Sequence, residues 1–404
     1  MKPWSLGTLL ACLFLSPFWS WAQPMTLDQV LGEAIESHPQ VRAARHRKEG
    51  ARLKGRYAGA PLNPTVRLGE TVGDPIEELL NITQSFELGG QPGLRAQLAL
   101  VELRFRHCQL QLTEREVALL VGRAYLELWI SQQRLKIFQQ RQALYDKLEL
   151  LSRRRYETGD IARNQYSRVS LERQRAQADV IQANLLRDQA EARLRTQLGR
   201  TQPLELADVS LPPFTQSLAE VQEWAERLPE VQAARANWEA SKLHTQLAQS
   251  EGSPTLGLSL YRSSFVRNTV AQGFQVSLSW TPWDYGQIEG EVVSRRAEQD
   301  ALEAEIEQSQ RLALQRLETV FQSYLAARQR RDLLHEQVNQ SLQLAESAQK
   351  GFASGYWTLL DALDSQRSYR DSQLEYLLAE SDYEQAWLEL TWLHPKEAQH
   401  APIP

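Results

Sequence analysis

The chain has 404 residues, of which 42% are hydrophobic and 24% are charged, and these proportions are typical of a folded protein with a sizeable core. Its net charge is −5 at pH 7, and no stretch has the basic character that a nucleic-acid backbone requires. Composition and charge therefore argue against a disordered chain and against a nucleic-acid partner.

Residues 1–22 have the pattern of a secretory signal peptide. Lys2 gives a positive start, an apolar run covers 4–19, and Ser-Trp-Ala at 20–22 forms a small-x-small cleavage site. A membrane anchor is the alternative interpretation. The short run and its interruption by Pro17 favour export instead.

The two cysteines bear on processing and stability. Cys12 ends a segment, 9–12, that resembles a lipoprotein cleavage box, although the apolar run continues past it, so lipidation stays open. Removal of 1–22 would leave Cys108 alone, and an internal disulfide is then excluded. After residue 22 no run of about 18 apolar residues occurs, which argues against a helical membrane span.

The rest of the chain contains an internal duplication. Segments of the first half return in the same order in the second half. The matched pairs are 38–45 with 228–235, 63–69 with 253–259, 86–91 with 283–288, and 156–166 with 352–362. Three prolines mark the connector between the halves. The expected boundaries are a first repeat at 23–198, a linker at 199–218, a second repeat at 219–394 and a tail at 395–404.

Long helices are predicted in both repeats. No proline occurs in 93–202 or in 283–394, and these segments are rich in good helix formers. A helix over 93–157 would extend roughly 100 Å, which no compact core can enclose. Heptad stripes indicate coiled-coil partners along this length. The predicted core stripes are Tyr369, Ser372, Tyr376, Ala379, Tyr383, Ala386, Leu390 and Leu393 in the second repeat, and Leu171, Ala178, Leu185 and Ala192 in the first.

Each repeat also contains two segments with the alternation of β-strands. The predicted strands are 64–72, 79–88, 254–265 and 271–283. One face of each is apolar and the other carries Ser, Thr, Gln and Asn, which suits a soluble sheet or a membrane barrel with lipid outside and water inside.

Three observations favour the membrane barrel. The chain is predicted to be exported, the strands reach about 9 to 11 residues, and aromatic residues lie towards strand ends. These aromatic residues are Tyr261, Phe265, Trp280 and Trp283. Four strands leave two open edges, and unpaired backbone groups are not tolerated in lipid. Several copies must then share one barrel, and a trimer would supply about twelve strands.

The order of these elements resembles the TolC family of outer-membrane efflux channels. The resemblance covers about 28–394 and is carried by FELGGQ at 86–91 and WDYGQ at 283–287 before long helices, and by Y-x-x-G at 156–159 and F-x-x-G at 352–355. Two motifs, the strand connection GDPIEE at 73–78 and the sequence SFELGG at 85–90, are similar to those of the heavy-metal (CzcC/CusC-like) branch, which serves RND tripartite pumps.

The resemblance implies a mainly α fold with a small β part. Long helices would form a coiled-coil α-barrel in the periplasm, and each chain would add four strands to a trimeric 12-stranded β-barrel in the outer membrane of a Gram-negative bacterium. The implied partners are a periplasmic adaptor (membrane fusion) protein, an inner-membrane RND-type pump and outer-membrane lipid. The channel would conduct passively, without catalysis, cofactor or resident metal.

Site residues follow from the same resemblance. Gly159 and Gly355 would be the helix tips that contact the adaptor, with a plain helix stop as the alternative. Asp361 and Asp364 match paired acids at the periplasmic entrance, and an acidic first turn that suits the helix dipole is their alternative.

The entrance also departs from the family pattern. Trp357 stands where a basic residue would latch the entrance, and Gln165, beside Asn164, stands where an acid would be its partner. Closure is then expected to depend on packing by Phe352, Tyr356 and Trp357.

Other signals carry little. The seven histidines show no metal-ligand spacing, and no Ser, His and acid grouping indicates nucleophilic catalysis. A periplasmic coiled-coil adaptor or structural protein that never enters the membrane is the alternative function, and the transported substrate stays open.

Overall fold

A computed structural model of the chain describes residues 24–71, 77–209, 211–265, 269–281 and 283–394. The predicted signal peptide with Cys12, most of the connection 73–78 and the tail 395–404 lie outside these residues.

Helices dominate the fold. The two longest, α3 and α7, have 67 and 68 residues, so each extends roughly 100 Å at about 1.5 Å per residue. None of the helices in the described ranges has both the length and the apolar character of a transmembrane helix. The helices are α1 Leu27–Ser37, α2 Pro39–Gly55, α3 Gln91–Glu157, α4 Arg163–Leu198, α5 Leu218–Gln222, α6 Pro229–Ser250, α7 Gln287–Ser354 and α8 Leu359–Leu393, with a 3-10 turn at Ala225–Arg227.

The strands form one antiparallel sheet in the order β1-β2-β3-β4. Their bounds are β1 Thr65–Thr71, β2 Glu77–Glu87, β3 Thr255–Phe265 and β4 Thr269–Ser279. The central pair, β2 and β3, comes from different repeats, so the sheet joins the two halves of the chain. The expected mainly α fold with a small β part and an internal duplication is confirmed.

The strand bounds differ from the prediction by at most two residues, except at the end of β4, where the difference is larger. β4 ends at Ser279, so Trp280 and Trp283 lie in the segment that leads to α7 and not in the strand. The alternation of apolar and polar residues continued through this segment, but the proline at position 282 has no N–H to give to a ladder. The strand prediction was wrong there by four residues.

The sheet has one apolar and one polar face. The polar face carries hydroxyl and amide side chains such as Thr83, Ser259 and Gln275, and the Thr83 and Ser259 hydroxyl oxygens lie 2.8 Å apart. On the apolar face, Leu68 and Phe274 each expose 79% of their surface within the chain. The apolar face comprises Val66, Leu68, Leu80, Ile82, Phe86, Leu256, Leu258, Leu260, Phe274, Val276 and Leu278.

Within one chain the predicted heptad stripe is buried in α8 and exposed in α4. In α8 the members from Ser372 to Leu393 are buried or partly buried. In α4 the predicted stripe is exposed, with Leu171 at 54% and Leu185 at 49%. Another frame of small residues faces α3 instead, because alanine side chains let two helices approach closely. That buried frame is Val169, Ala176, Ala183 and Ala190.

A large buried cluster lies where α3 contacts the linker and the N-terminal segment. Tyr125 of α3 is fully buried, and its hydroxyl donates to the carbonyl oxygens of Met25 and Ala207, each at 3.0 Å. Met25 also forms a parallel bridge with Leu206. The predicted linker is therefore held against the N-terminal segment at the middle of α3.

We expect Gly122→Ala to destabilise the fold. Gly122 of α3 is buried against α8, and an added Cβ would collide with the Leu388 side chain. Overpacking of this kind costs about 1–3 kcal/mol, more than the gain of about 1 kcal/mol in helix propensity. Thermal unfolding in detergent, followed by circular dichroism, measures the difference. Gly50→Ala in α2 is the matched control, because its Cβ meets open space; equal melting temperatures for the two variants would contradict the expectation.

Candidate functional site

The candidate site is the end of the helices that lies farthest from the sheet. Here α3 turns into α4 and α7 turns into α8. Gly159 and Gly355 occupy these turns with φ of 81° and 84°, a left-handed conformation that glycine adopts without a Cβ penalty. The N–H of Gly355 reaches the carbonyl oxygens of Gly351 and Phe352, which ends α7 sharply.

The two turns begin their second helices in the same way. Asp361 accepts a hydrogen bond from the Thr358 N–H at 3.1 Å, and Gln165 accepts one from the Ala162 N–H at 3.2 Å. Each residue is the third of its helix and satisfies a backbone N–H that no helical carbonyl can reach. Asp361 and Gln165 are therefore structural caps, and their side chains are also exposed to solvent.

The other polar residues predicted for the entrance lie on the surface. Asn164 is exposed in the first turn of α4. Asp364 exposes 59% of its side chain, and its carboxylate lies 3.5 Å from the Arg367 guanidinium. Asp361 and Asp364, three positions apart, share one face of α8. The pair can therefore present negative charge to solvent beyond the helix cap.

Of the aromatic residues predicted at the second turn, two pack within the chain and one is exposed to solvent. Phe352 is buried, with the Arg155 guanidinium 5.0 Å from its ring centroid. Trp357 lies over Gly351, where an added Cβ would approach the indole to 2.5 Å. Tyr356 exposes 89% of its surface, so it does not pack within the chain as expected.

Arg155 joins the two turns. It extends from the last turn of α3 and donates to the carbonyl oxygens of Phe352, at 3.5 Å, and Ala353, at 3.3 Å. These carbonyls belong to the last turn of α7, where a cation is favourable because the helix leaves its final carbonyls unpaired. The two tips are therefore one connected surface.

A buried ion cluster, which we call the Glu172 cluster, lies beyond the tips. Glu172 of α4 exposes only 4% and pairs with Arg141 of α3 at 3.3 Å, Arg175 at 2.8 Å and Arg367 of α8 at 2.5 Å. Arg141 also pairs with Asp179. A buried carboxylate is tolerated only with such partners. The cluster ties three helices together next to the acid pair.

Burial raises the pKa of the Glu172 carboxyl, but the hydrogen bonds and charges of Arg367 and Arg175 outweigh it, and the net shift is downward. The carboxylate is thus ionised at neutral pH. Sequence reasoning missed this cluster because its members are far apart in the chain, and charged residues on long helices are normally solvated.

Across the described ranges, no group of three or more His, Cys, Asp or Glu side chains is arranged to hold a metal ion.

Comparison with known proteins gives a family match over most of the chain. The sequence profile of the family "Outer membrane efflux protein" matches residues 30–200 and, separately, 221–393, one match for each repeat. A search of curated proteins gives no match.

Several solved structures are similar to this fold. The MtrE outer membrane channel of Neisseria gonorrhoeae, in its open state, has a TM-score of 0.76 at 17% identity, over 91% of this chain and 88% of its own. The outer membrane protein VceC of Vibrio cholerae has a TM-score of 0.73 at 18% identity, over 91% and 95%. CusC has a TM-score of 0.69 at 15% identity, over 92% of each chain.

We expect Arg367→Gln to loosen the start of α8. The change removes the link from α8 to buried Glu172, which keeps Arg141 and Arg175, so a loss of about 1–2 kcal/mol is expected after discounting for the partial exposure of Arg367. Hydrogen exchange of the amides in 359–372 should speed up. Arg370→Gln is the control, because Arg370 pairs only with its neighbour Asp371.

The effect of Arg367→Gln on hydrogen exchange should depend on pH. The folded pKa of Glu172 is depressed below its ordinary value of 4.5, so the ion pairs contribute fully above that value and are lost as the pH falls through the folded pKa. The exchange difference between the wild type and Arg367→Gln should vanish there. Equal exchange of the two proteins at pH 7 would contradict the coupling.

Proposed function

The chain belongs to the outer membrane efflux protein family, and from that premise we propose that three copies form one passive channel, the exit duct of a three-component efflux pump. The chain is an outer-membrane protein of the efflux class. In the proposed assembly it catalyses no reaction, and an inner-membrane pump of the RND type supplies the energy through a periplasmic adaptor.

The observation that carries the proposal is the open sheet. Among the residues that the structure describes, β1 and β4 each pair with one strand only, and no part of the chain covers the apolar face. In lipid every backbone N–H and C=O needs a partner, and the smallest closed barrels have about eight strands. Three copies, each pairing β4 with β1 of the next, give a closed ring of about twelve strands. The uncovered apolar face and the family together argue against a periplasmic adaptor that never enters the membrane.

The helices offer a matching surface for the next copy. The α4 stripe that is exposed in the single chain contains Leu171 and Leu185, and Ile181 beside it exposes 67%. On α7, Leu333 exposes 70%. Apolar side chains along helices of this length are normally covered, because each exposed one forfeits the stabilisation of burial. The proposed ring would cover them with the neighbouring copies.

The tips then form the periplasmic entrance. Threefold symmetry would gather six carboxylates from Asp361 and Asp364 around one opening, a ring that favours cations. Phe352 and Trp357 would support its wall. Asn164 and Gln165 would line it from α4, and the turns at Gly159 and Gly355 would contact the adaptor.

The negative charge of Asp361 and Asp364 indicates a class of transported substrate. A cation-favouring entrance agrees with the heavy-metal branch that the strand connection resembles, so we propose metal cations as the substrate class. MtrE and VceC have TM-scores no lower than that of CusC, so fold similarity does not select the substrate, and the acid pair carries this proposal.

The trimer is tested by mass. Native mass spectrometry of the detergent-solubilised protein should give three chains, and Leu185→Glu should shift it towards one chain because the charge falls on the proposed helix interface. Gln177→Glu, at an exposed polar position of the same helix, is the control. A single wild-type chain that forms pores would refute the proposed assembly.

The acid pair is tested by selectivity. Asp361→Asn/Asp364→Asn should reduce the cation preference measured by reversal potentials in planar bilayers, because the amide at 361 still accepts the capping hydrogen bond while the charge is lost. Asp371→Asn/Asp382→Asn removes equal charge further along α8 and should leave the preference unchanged. Equal preference in the wild type and the entrance variant would discard this role.

A further inference from the structure

Arg262 and Gln272 place two polar side chains side by side on the apolar face, towards one end of the sheet, and we propose that they bind the phosphate of an anionic lipid of the outer leaflet. Arg262 of β3 and Gln272 of β4 are partners in the strand register. Both are exposed, and they lie on the same face as Leu260 and Phe274. A guanidinium on a lipid-facing surface needs a polar partner, which the headgroup layer can supply.

The pair stands at one end of a groove, which we call the lipid groove. Its volume is about 390 Å³. Its apolar walls suit an acyl chain, and Arg262 with Gln272 supplies N–H donors at the end. The lining residues are Leu80, Ile82, Leu260, Tyr261, Arg262, Gln272, Gly273 and Phe274. All belong to β2, β3 and β4 of one chain, so the groove is complete without a neighbouring copy.

The strand direction places the groove in the outer leaflet. α3 and α7 begin just after β2 and β4 end, so those ends are periplasmic and the other ends point outward. Arg262 is three residues from the outward end of β3, Phe265. At about 3.3 Å per residue and a tilt near 40°, it lies roughly 8 Å below that end. A long arginine side chain can extend from this depth to the headgroup layer.

The charge balance favours an anionic lipid over a neutral one. Arg262 forms no ion pair with any side chain that the structure describes. Arginine on a lipid face is destabilising in the bilayer centre and tolerated near the headgroups, where a phosphate can accept two parallel N–H bonds from the guanidinium. A phosphorylated lipid would place its acyl chain in the apolar groove and its phosphate against Arg262 and Gln272. Glu78, two residues further out on β2 than Leu80, the register partner of Arg262, and Glu70, in register with Glu78, are acids on the same face of the sheet.

The experiment uses the full-length protein in phosphatidylcholine vesicles with or without lipopolysaccharide, a phosphorylated outer-leaflet lipid. The wild type should show a higher melting temperature and saturable lipid retention when lipopolysaccharide is present. Arg262→Gln should lose at least about tenfold in lipopolysaccharide affinity, the size expected for a charge-assisted contact. Arg262→Lys should be intermediate, since it keeps the charge without the bidentate geometry.

Arg67→Gln is the matched control. Arg67 is on the polar face of the same sheet, in register with Asn81, which pairs with Tyr261. It removes the same charge at nearly the same depth, so it should keep the wild-type affinity. Equal losses in both arginine variants, or no loss in Arg262→Gln, would overturn the site. A drop in melting temperature for Glu78→Gln without lipopolysaccharide that equals the drop for Arg262→Gln would assign the counter-charge to Glu78 and also overturn it.

The inference rests on insertion of this sheet in the outer membrane as the proposed channel. The two fail differently: a protein that forms no pores in the vesicles refutes the channel, whereas a pore-forming protein with equal affinity in the wild type and Arg262→Gln refutes only the lipid site.

Discussion

The need to close a sheet whose two edges lack partners dominates this molecule. One chain has four strands, and their apolar face is uncovered. Because β2 and β3 come from different repeats, duplication of the chain has doubled the sheet without closing it. The long helices follow directly from the periplasmic strand ends, so whatever closes the sheet also arranges the helices around the same axis.

The helical part solves a different problem, which is to hold bundles of roughly 100 Å together without a globular core. Small residues bring α4 against α3, and Gly122 brings α3 against Leu388 of α8. Near the tips the packing is supplemented by charge, through Arg155 and the Glu172 cluster. An apolar cluster that includes Leu148, Phe352 and Leu363 lies in the same region, so packing and polar coupling together hold the helices near the proposed entrance.

Local sequence patterns predicted the helices and strands. Contacts between residues that are distant in the chain determine which helix faces are buried and which charged residues pair. Glycine and proline punctuation gave the long helices, and period-two alternation gave all four strands. The stripe of Leu171 is exposed within one chain because α4 holds two seven-residue frames of small or apolar residues, and the other frame packs against α3. The Glu172 cluster could not be foreseen, since its arginines come from three helices. Nor could Glu384, whose pKa burial raises to about 8 although nothing in its local sequence distinguishes it from the solvated acids of α8.

The N-terminal caps of α4 and α8 differ in charge between the two repeats. The same backbone N–H is satisfied by neutral Gln165 in one repeat and by charged Asp361 in the other. Copies arranged in a ring would therefore alternate a turn with a neutral cap and a turn with an anionic cap, so a partner encircling the duct would encounter two kinds of docking position in strict succession. Duplication produced a pseudo-sixfold skeleton, and the different charges of the two turns reduce its electrostatic symmetry to threefold.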